Sequence, residues 1–371
     1  MRKLSRTAYL LTGLAVALAA SQVKAGNWLT EDLGDPWDLT NSVLGEDSDI
    51  DIGGWTQFGY HNESDGVFNT HPDHVDLQQG YLYLEKVADG SEGVDFGGRL
   101  DVMYGTDAQN TQAFGNRPGN WDFMNGFDHG VYGWALPQAY LEAAYGDWSV
   151  KAGHFYTLMG YELVTAPGNF FYSHAFTHNF GEAFTHTGAV ATYAASDDVT
   201  LYGGWTLGWD TGFDQFNDGS NFLGGASVAA TDDVTVTYIV TAGNLGWLGD
   251  GYAHTLVADW VINDEWEYIF QSDYVGTDAI GGGHFDTIGV NQYLFYTISD
   301  KVKAGGRAEW WKAHGVSYYE MSLGVNVLPT ANFRIRPEIR YQWAPGTTTA
   351  TNPFGITVDE TIFGIDAILI F

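Results

Sequence analysis

An all-β fold, a transmembrane antiparallel up-and-down β-barrel of about 16 strands, is predicted by three features of the sequence. The first is composition. The 371 residues include 48 Gly and 16% aromatics, but only 16% charged residues and 9 Pro. That is a chain of strands and tight turns, not of helices or acidic disorder. The second is a two-residue alternation of apolar and polar side chains, and the third an alternation of short and long connections between the alternating segments. The formal net charge is -31, from 15 basic and 46 acidic residues. This argues against a nucleic-acid partner, whose phosphates require clustered basic charge. The absence of Cys excludes disulfide scaffolds, thiolate zinc sites and Cys nucleophiles.

Arg2, Lys3 and Arg6 precede an apolar run from Ala8 to Ala20, followed by Val23-Lys24-Ala25. A basic start, a short apolar core and a small-x-Ala site predict a cleaved secretion signal over residues 1–25. Its removal leaves 11 basic and 46 acidic residues, a net charge of -35. No later segment approaches the roughly 18 consecutive apolar residues of a membrane helix. Residues 26–49 are acidic and unpatterned around Asp35-Pro36-Trp37-Asp38-Leu39, and read as an N-terminal periplasmic segment, either a tail or a short plug. The barrel is expected over residues 50–371.

Strand periodicity is clearest from Phe333 to Trp343, where odd positions are apolar or aromatic and every even position is charged or amide. A helix cannot gather such a pattern on one face. Val302 to Lys312, Val94 to Val102 and Trp266 to Tyr274 repeat it. The predicted strands are 51–61, 75–87, 94–105, 136–145, 148–158, 186–195, 199–209, 221–230, 234–243, 253–262, 265–275, 286–298, 301–312, 316–328, 333–343 and 361–371. Short polar turns such as Ser196–Asp198 and Thr231–Asp233 alternate with long connections such as Asn62–His74, Thr106–Ala135 and Met159–Thr185. That rhythm places short turns at one rim and loops at the other. A closed barrel also removes the edge that the apolar last strand would otherwise expose.

Several segments carry a family resemblance. Gly153-His154-Phe155, Gly160-Tyr161-Glu162, Asn169-Phe170-Phe171-Tyr172-Ser173 and Phe184-Thr185-His186-Thr187-Gly188 follow Gln79-Gly80-Tyr81-Leu82-Tyr83-Leu84-Glu85-Lys86. From about Gly34 to Phe371 the chain resembles the outer-membrane beta-barrel porin family called porin-2, or OmpL-like. The terminal Phe371 resembles the signal by which outer-membrane barrels are recognised for assembly. The resemblance implies a pore-forming outer-membrane protein, with lipid, lipopolysaccharide and the barrel-assembly machinery as partners. It implies no catalytic residue, cofactor or defined substrate.

The connection after the fifth strand is too long and aromatic for a plain turn. In general-diffusion porins, which the chain resembles, this loop folds into the lumen. Here it would bring Tyr161, Glu162, Phe170, Phe171, Tyr172 and Glu182, with an outward loop packed at the rim as the alternative. Seven of the 11 remaining basic residues lie between Lys301 and Arg340, and Lys303, Arg307, Arg334, Arg336 and Arg340 share the polar parity. They would line the pore as a ladder opposite the acid-bearing loop and set up a transverse field. Glu309, Glu320 and Glu338 would line it too, or neutralise the ladder as ion pairs in the wall.

Other motifs are weaker. Asp214 to Gly219 resembles a calcium loop only loosely, because Phe216 stands where a ligand oxygen is required. His71 and His74, and His174, His178 and His186, lack a convergent ligand set, so no metal is assigned. Asn62-Glu63-Ser64 matches a glycosylation sequon that an outer-membrane location would leave unused. Trp148, Trp205, Trp209, Trp247, Trp260, Trp266, Trp310 and Trp343 fit interfacial girdles, while Tyr81, Tyr83 and Phe155 carry lumen parity. A passive porin for small polar solutes and ions, homotrimeric by analogy with sixteen-strand porins, is therefore the expected function. A barrel enzyme would need a nucleophile setting that is not recognisable here. A sealed structural or adhesive barrel is the remaining alternative.

Overall fold

The computed structural model describes residues 33–371, so the expected signal and the start of the acidic segment lie outside the described residues. Sixteen strands follow in order: β1 (Asp51–His61), β2 (Val75–Lys86), β3 (Asp95–Gly105), β4 (Gly133–Ala135 and Ala139–Tyr145), β5 (Trp148–Tyr156), β6 (Thr185–Ser196), β7 (Val199–Trp209), β8 (Ser220–Thr231), β9 (Val234–Asn244), β10 (Asp250–Val261), β11 (Trp266–Asp278), β12 (His284–Ser299), β13 (Val302–Ala313), β14 (Val316–Thr330), β15 (Phe333–Trp343) and β16 (Glu360–Ile370). Each pairs antiparallel with its sequence neighbours. β16 returns to β1, with Trp55 opposite Ile370 and His61 opposite Gly364, so no edge remains. The fold is a closed sixteen-strand antiparallel β-barrel.

The strand bounds agree with the alternation to within a few residues, with one interruption. The fourth strand begins earlier than expected and breaks at Leu136–Gln138, because Pro137 has no N–H to give the ladder. Both halves pair with β3. Outward positions such as Val75, Phe96, Leu141 and Leu323 are 63–74% exposed and form an apolar belt around the outside of the barrel. Trp148, Trp205, Trp260 and Trp266 lie on that outer face. Trp209 does not. A register shift between β6 and β7, where Gly208 takes φ 112°, turns its ring inward, and it is 2% exposed.

Residues 33–50 pack against the short-turn rim. The Trp37 N–H donates to Asn332 Oδ1 at 2.7 Å, and Asn332 Nδ2 donates back to the carbonyls of Trp37 and Ile370. The Trp37 ring lies 6.0 Å from that of Phe371. One asparagine thus ties the N-terminal segment to the last strand beside the closing seam.

The inside of the barrel is divided. Toward the long loops, inward side chains of strands around the ring are buried, among them Gln57, Gln79, Asp101, Phe155, Leu223, Ile239, Gln271, Tyr293, Trp311, Tyr318 and Asp366. Toward the short turns, inward residues such as Thr192, Ser227, Thr235, Asp259, Glu267 and Lys303 retain exposure. The long loops therefore fill one half of the lumen and leave the other open.

Candidate functional site

The filling is led by residues 157–184, between β5 and β6, which cross the lumen. The segment contains a short turn at Ala166–Gly168 and the six-residue helix α1 (Phe176–Gly181). Loop backbone groups inside a barrel need partners, since water cannot serve them where they are buried. Inward side chains supply these from both sides. On β2, Gln79 donates to the Val164 carbonyl at 2.8 Å and accepts from the Ala166 N–H at 3.1 Å. On β11, Gln271 accepts from the Tyr161 N–H at 3.0 Å. On β13, Glu309 accepts from the N–H groups of Phe176 and Thr177 at 2.6 and 2.7 Å, and from the Thr177 hydroxyl. On β15, Glu338 accepts from the N–H groups of Tyr172 and Ser173.

The basic ladder points inward but does not stand across an open lumen from the loop, as expected from sequence; the loop reaches it. Arg307, 2% exposed, donates to Glu162 at 2.7 Å, Glu320 at 2.6 Å and the Ser173 carbonyl at 2.8 Å. Arg336 pairs with Asp366 and donates to the carbonyls of Ala166, Asn169 and Phe171. Arg340 donates to the His174 carbonyl at 2.6 Å, and Arg334 to the Pro167 carbonyl at 2.9 Å. Lys303 lies nearer the short-turn rim, paired with Glu267 at 2.6 Å, and does not bond the loop. The physical reason is loop length: a segment long enough to span the lumen carries carbonyls to cations that would otherwise be desolvated without acceptors.

The loop aromatics sit in wells that the sequence did not reveal. A Cβ at Gly59 would approach the Tyr172 hydroxyl to 2.5 Å, one at Gly364 the Tyr172 ring to 2.9 Å, and one at Gly305 the Phe170 ring to 2.7 Å. Phe170 and Phe171 pack with Val257, Ile269, Tyr293 and Phe295, and the Arg307 guanidinium lies 4.9 Å over the Phe171 ring. Thr177 rests on Gly289, where a Cβ would approach its hydroxyl to 2.2 Å. Gly289→Val is therefore expected to lift α1 from the wall at a cost of about 1–3 kcal/mol. Faster amide exchange over residues 176–181 in an intact, heat-modifiable barrel would show it.

Both ends of the loop meet at a carboxylate cluster. Glu162 accepts from Arg307, the Tyr293 hydroxyl and the Ala175 N–H, and the Arg307 charge holds its carboxyl well below the usual range despite burial. Glu182 shares the Gln271 amide with Asp273, and burial, reinforced by the charge of Glu162, pushes it up to about 8. Gly160, at φ 83°, is required here because a Cβ would strike the Glu182 carboxylate. His174 and His178 stack at 4.5 Å beside these acids, and burial lowers both, His178 to about 4. Among the described residues no group of His and carboxylates converges as a metal site. A cavity of about 10 Å³, room for one water, remains between Gln57, Gln79, Asp107, Tyr172 and Arg336.

Comparison with known proteins agrees with this architecture. The anion-selective porin from Comamonas acidovorans is 12% identical with a TM-score of 0.61, over 87% of this chain and 99% of its own. The outer-membrane channel DcaP of Acinetobacter baumannii is 12% identical with a TM-score of 0.59, over 87% and 97%. The outer-membrane protein OmpT of Vibrio cholerae, in its trimer form, is 13% identical with a TM-score of 0.57, over 87% and 99%. At such identities the likeness concerns the fold. No curated protein matches the chain. Residues 49–371 match the family described as "Putative beta-barrel porin-2, OmpL-like", and the chain belongs to that family of porin-like outer-membrane barrels.

Proposed function

We propose that the chain is a passive porin for small polar solutes and ions, whose aperture is set by the infolded loop 157–184. The observation that carries this reading is the fastening of that loop to both sides of the lumen, through Gln79 and Gln271 as well as Glu309, Arg336 and Glu338. A loop held on two sides narrows a pore to whatever path its side chains leave. Tyr161, Glu162, Phe170, Phe171, Tyr172 and Glu182 form the constriction. A trimer is favoured by the trimeric form of OmpT of Vibrio cholerae. Residues 1–25 act as the export signal, and residues 26–49 as a periplasmic segment.

The ladder cations are occupied by carboxylates and loop carbonyls, Lys303 by Glu267 among them, whereas Asp259 faces the open half of the lumen outside any ion pair among the described residues. With a net charge of -35 after signal removal, the pore should prefer cations. A second reading, a sealed structural barrel, is favoured by the burial of inward side chains on the loop side. Single-channel recording of refolded protein in a planar bilayer separates the two. Discrete steps with a cation-selective reversal potential are expected. Silence from a correctly folded, heat-modifiable barrel would sink the porin reading in favour of the sealed one.

A further inference from the structure

The C-terminal end of the infolded loop is fastened to the wall by an acid against an acid. Glu182, on the loop, and Asp273, on β11, are 6% and 3% exposed. Their carboxyl groups are in hydrogen-bonding contact, and both accept from the one Gln271 amide. Among the described residues no Lys or Arg bonds either of them, and Asp273 also faces the neutral Thr255 hydroxyl. Two carboxylates in contact in a buried site cannot both ionise without strong repulsion, so the arrangement requires a proton between them. We propose that Glu182 and Asp273 form a proton-operated latch that holds the C-terminal end of the loop against β11 and lets it go when the shared proton is lost.

The surroundings leave the pair to govern itself. On the loop it faces Glu162, His174 and His178, with the nearest His ring, that of His178, 3.5 Å from Glu182. β10 presents Asp259, β11 also carries Glu267, β13 presents Arg307 and Glu309, and β6 carries His186. Arg307 is committed to Glu162 and Glu320. Asp210, on the next long loop, accepts from the N–H groups of Phe184 and Thr185.

The direction of the response follows from linkage. A released Glu182 in water titrates at its ordinary value near 4.5, whereas burial and the charge of Glu162 raise it to about 8 in the docked loop. The docked state therefore keeps a proton that the released state has given up, and docking weakens as pH rises toward 8. Each pH unit in that window shifts the docked-to-released ratio by up to about tenfold. Below about pH 6.5 the buried histidines oppose it, since burial holds His178 at about 4 and release lets it protonate. Docking is then tightest near pH 6.5. Between pH 6.5 and 8 the Glu182 proton alone gives about a 15-fold change. Asp210, raised by burial to about 7, adds a smaller change in the same sense.

The test is amide hydrogen exchange of residues 157–184 in the refolded full-length barrel at pH 6.5 and 8.5, corrected for intrinsic rates. Single-channel recording is run in parallel. Protection of the loop should fall at least tenfold in the wild type, but by no more than about threefold in Glu182→Gln, whose amide replaces the shared proton. Asp273→Asn offers the same replacement from the wall side and serves if the first variant fails to fold. Equal losses in the wild type and the variants, or no loss in the wild type, would overturn the latch. Its effect on permeation rests on the porin reading, but the exchange does not. A pH-dependent loop in a silent barrel overturns the pore and keeps the latch, whereas a conducting barrel with pH-independent exchange does the reverse.

Discussion

Arg307→Ala is expected to release the loop from β13 while leaving the barrel folded. The side chain donates to two carboxylates, Glu162 and Glu320, and to the carbonyl and hydroxyl of Ser173. Removing it leaves Glu162 buried without its arginine and Glu320 with only Arg340, at 3.9 Å, a change that costs about 3–5 kcal/mol where one partner of a buried pair is lost. The strand ladder does not depend on the guanidinium, so the cost falls on loop docking. Larger or noisier conductance steps and faster exchange over residues 162–177 should follow, with heat-modifiable migration retained. Arg307→Lys should recover only part, because one ammonium cannot span Glu162, Glu320 and Ser173 together. Adding Glu162→Ala to Arg307→Ala should cost less than the two single losses combined, since the second change removes an acid the first left unpaired. Additive losses would show that the pair does not hold the loop.

The wall of this barrel was legible in the sequence and its contents were not, for a physical reason. Period-two alternation is local, so Arg334, Arg336, Glu338 and Arg340 announce a strand and a shared face within seven residues. The even rhythm of turns then fixes strand number and closure. The Glu338 contacts with Tyr172 and Ser173, by contrast, join residues 166 and 165 positions apart. Nothing local in either segment names the other. A cation on the polar face reads the same whether it meets water or a loop carbonyl.

Trp209 shows the limit within a strand. Its parity holds until the shift at Gly208, and glycine in a strand is a hint of a bulge without its direction. The wells at Gly59, Gly289, Gly305 and Gly364 were also visible only as glycines. Small residues at inward positions opposite a long aromatic loop are the signal that could have found them. The loop composition itself, with Phe170, Phe171 and Tyr172 in succession, did point to a packed segment rather than a solvated one.

Glu309 and Glu338 test the hydrogen-bonding half of the docking separately from its charge. Glu309→Ala strips the acceptor from the Phe176 and Thr177 N–H groups and the Thr177 hydroxyl, and Glu338→Ala strips it from those of Tyr172 and Ser173. Each buried donor left without a partner costs about 1–3 kcal/mol, so both variants should loosen α1 and the aromatic turn before it. Gln at either position keeps one acceptor oxygen and should lose much less. Because Gln79 and Gln271 still hold the start of the loop, the expected result is a hinged loop with protection lost over residues 170–178 and kept over 161–166. Such a barrel also decides between the two functional readings. If the intact protein is silent and Glu309→Ala conducts, the docked loop is the seal; if both conduct with different step sizes, the loop is the aperture. Equal protection in Glu309→Ala and wild type would mean that the glycine wells and aromatic packing, not the wall carboxylates, hold the loop.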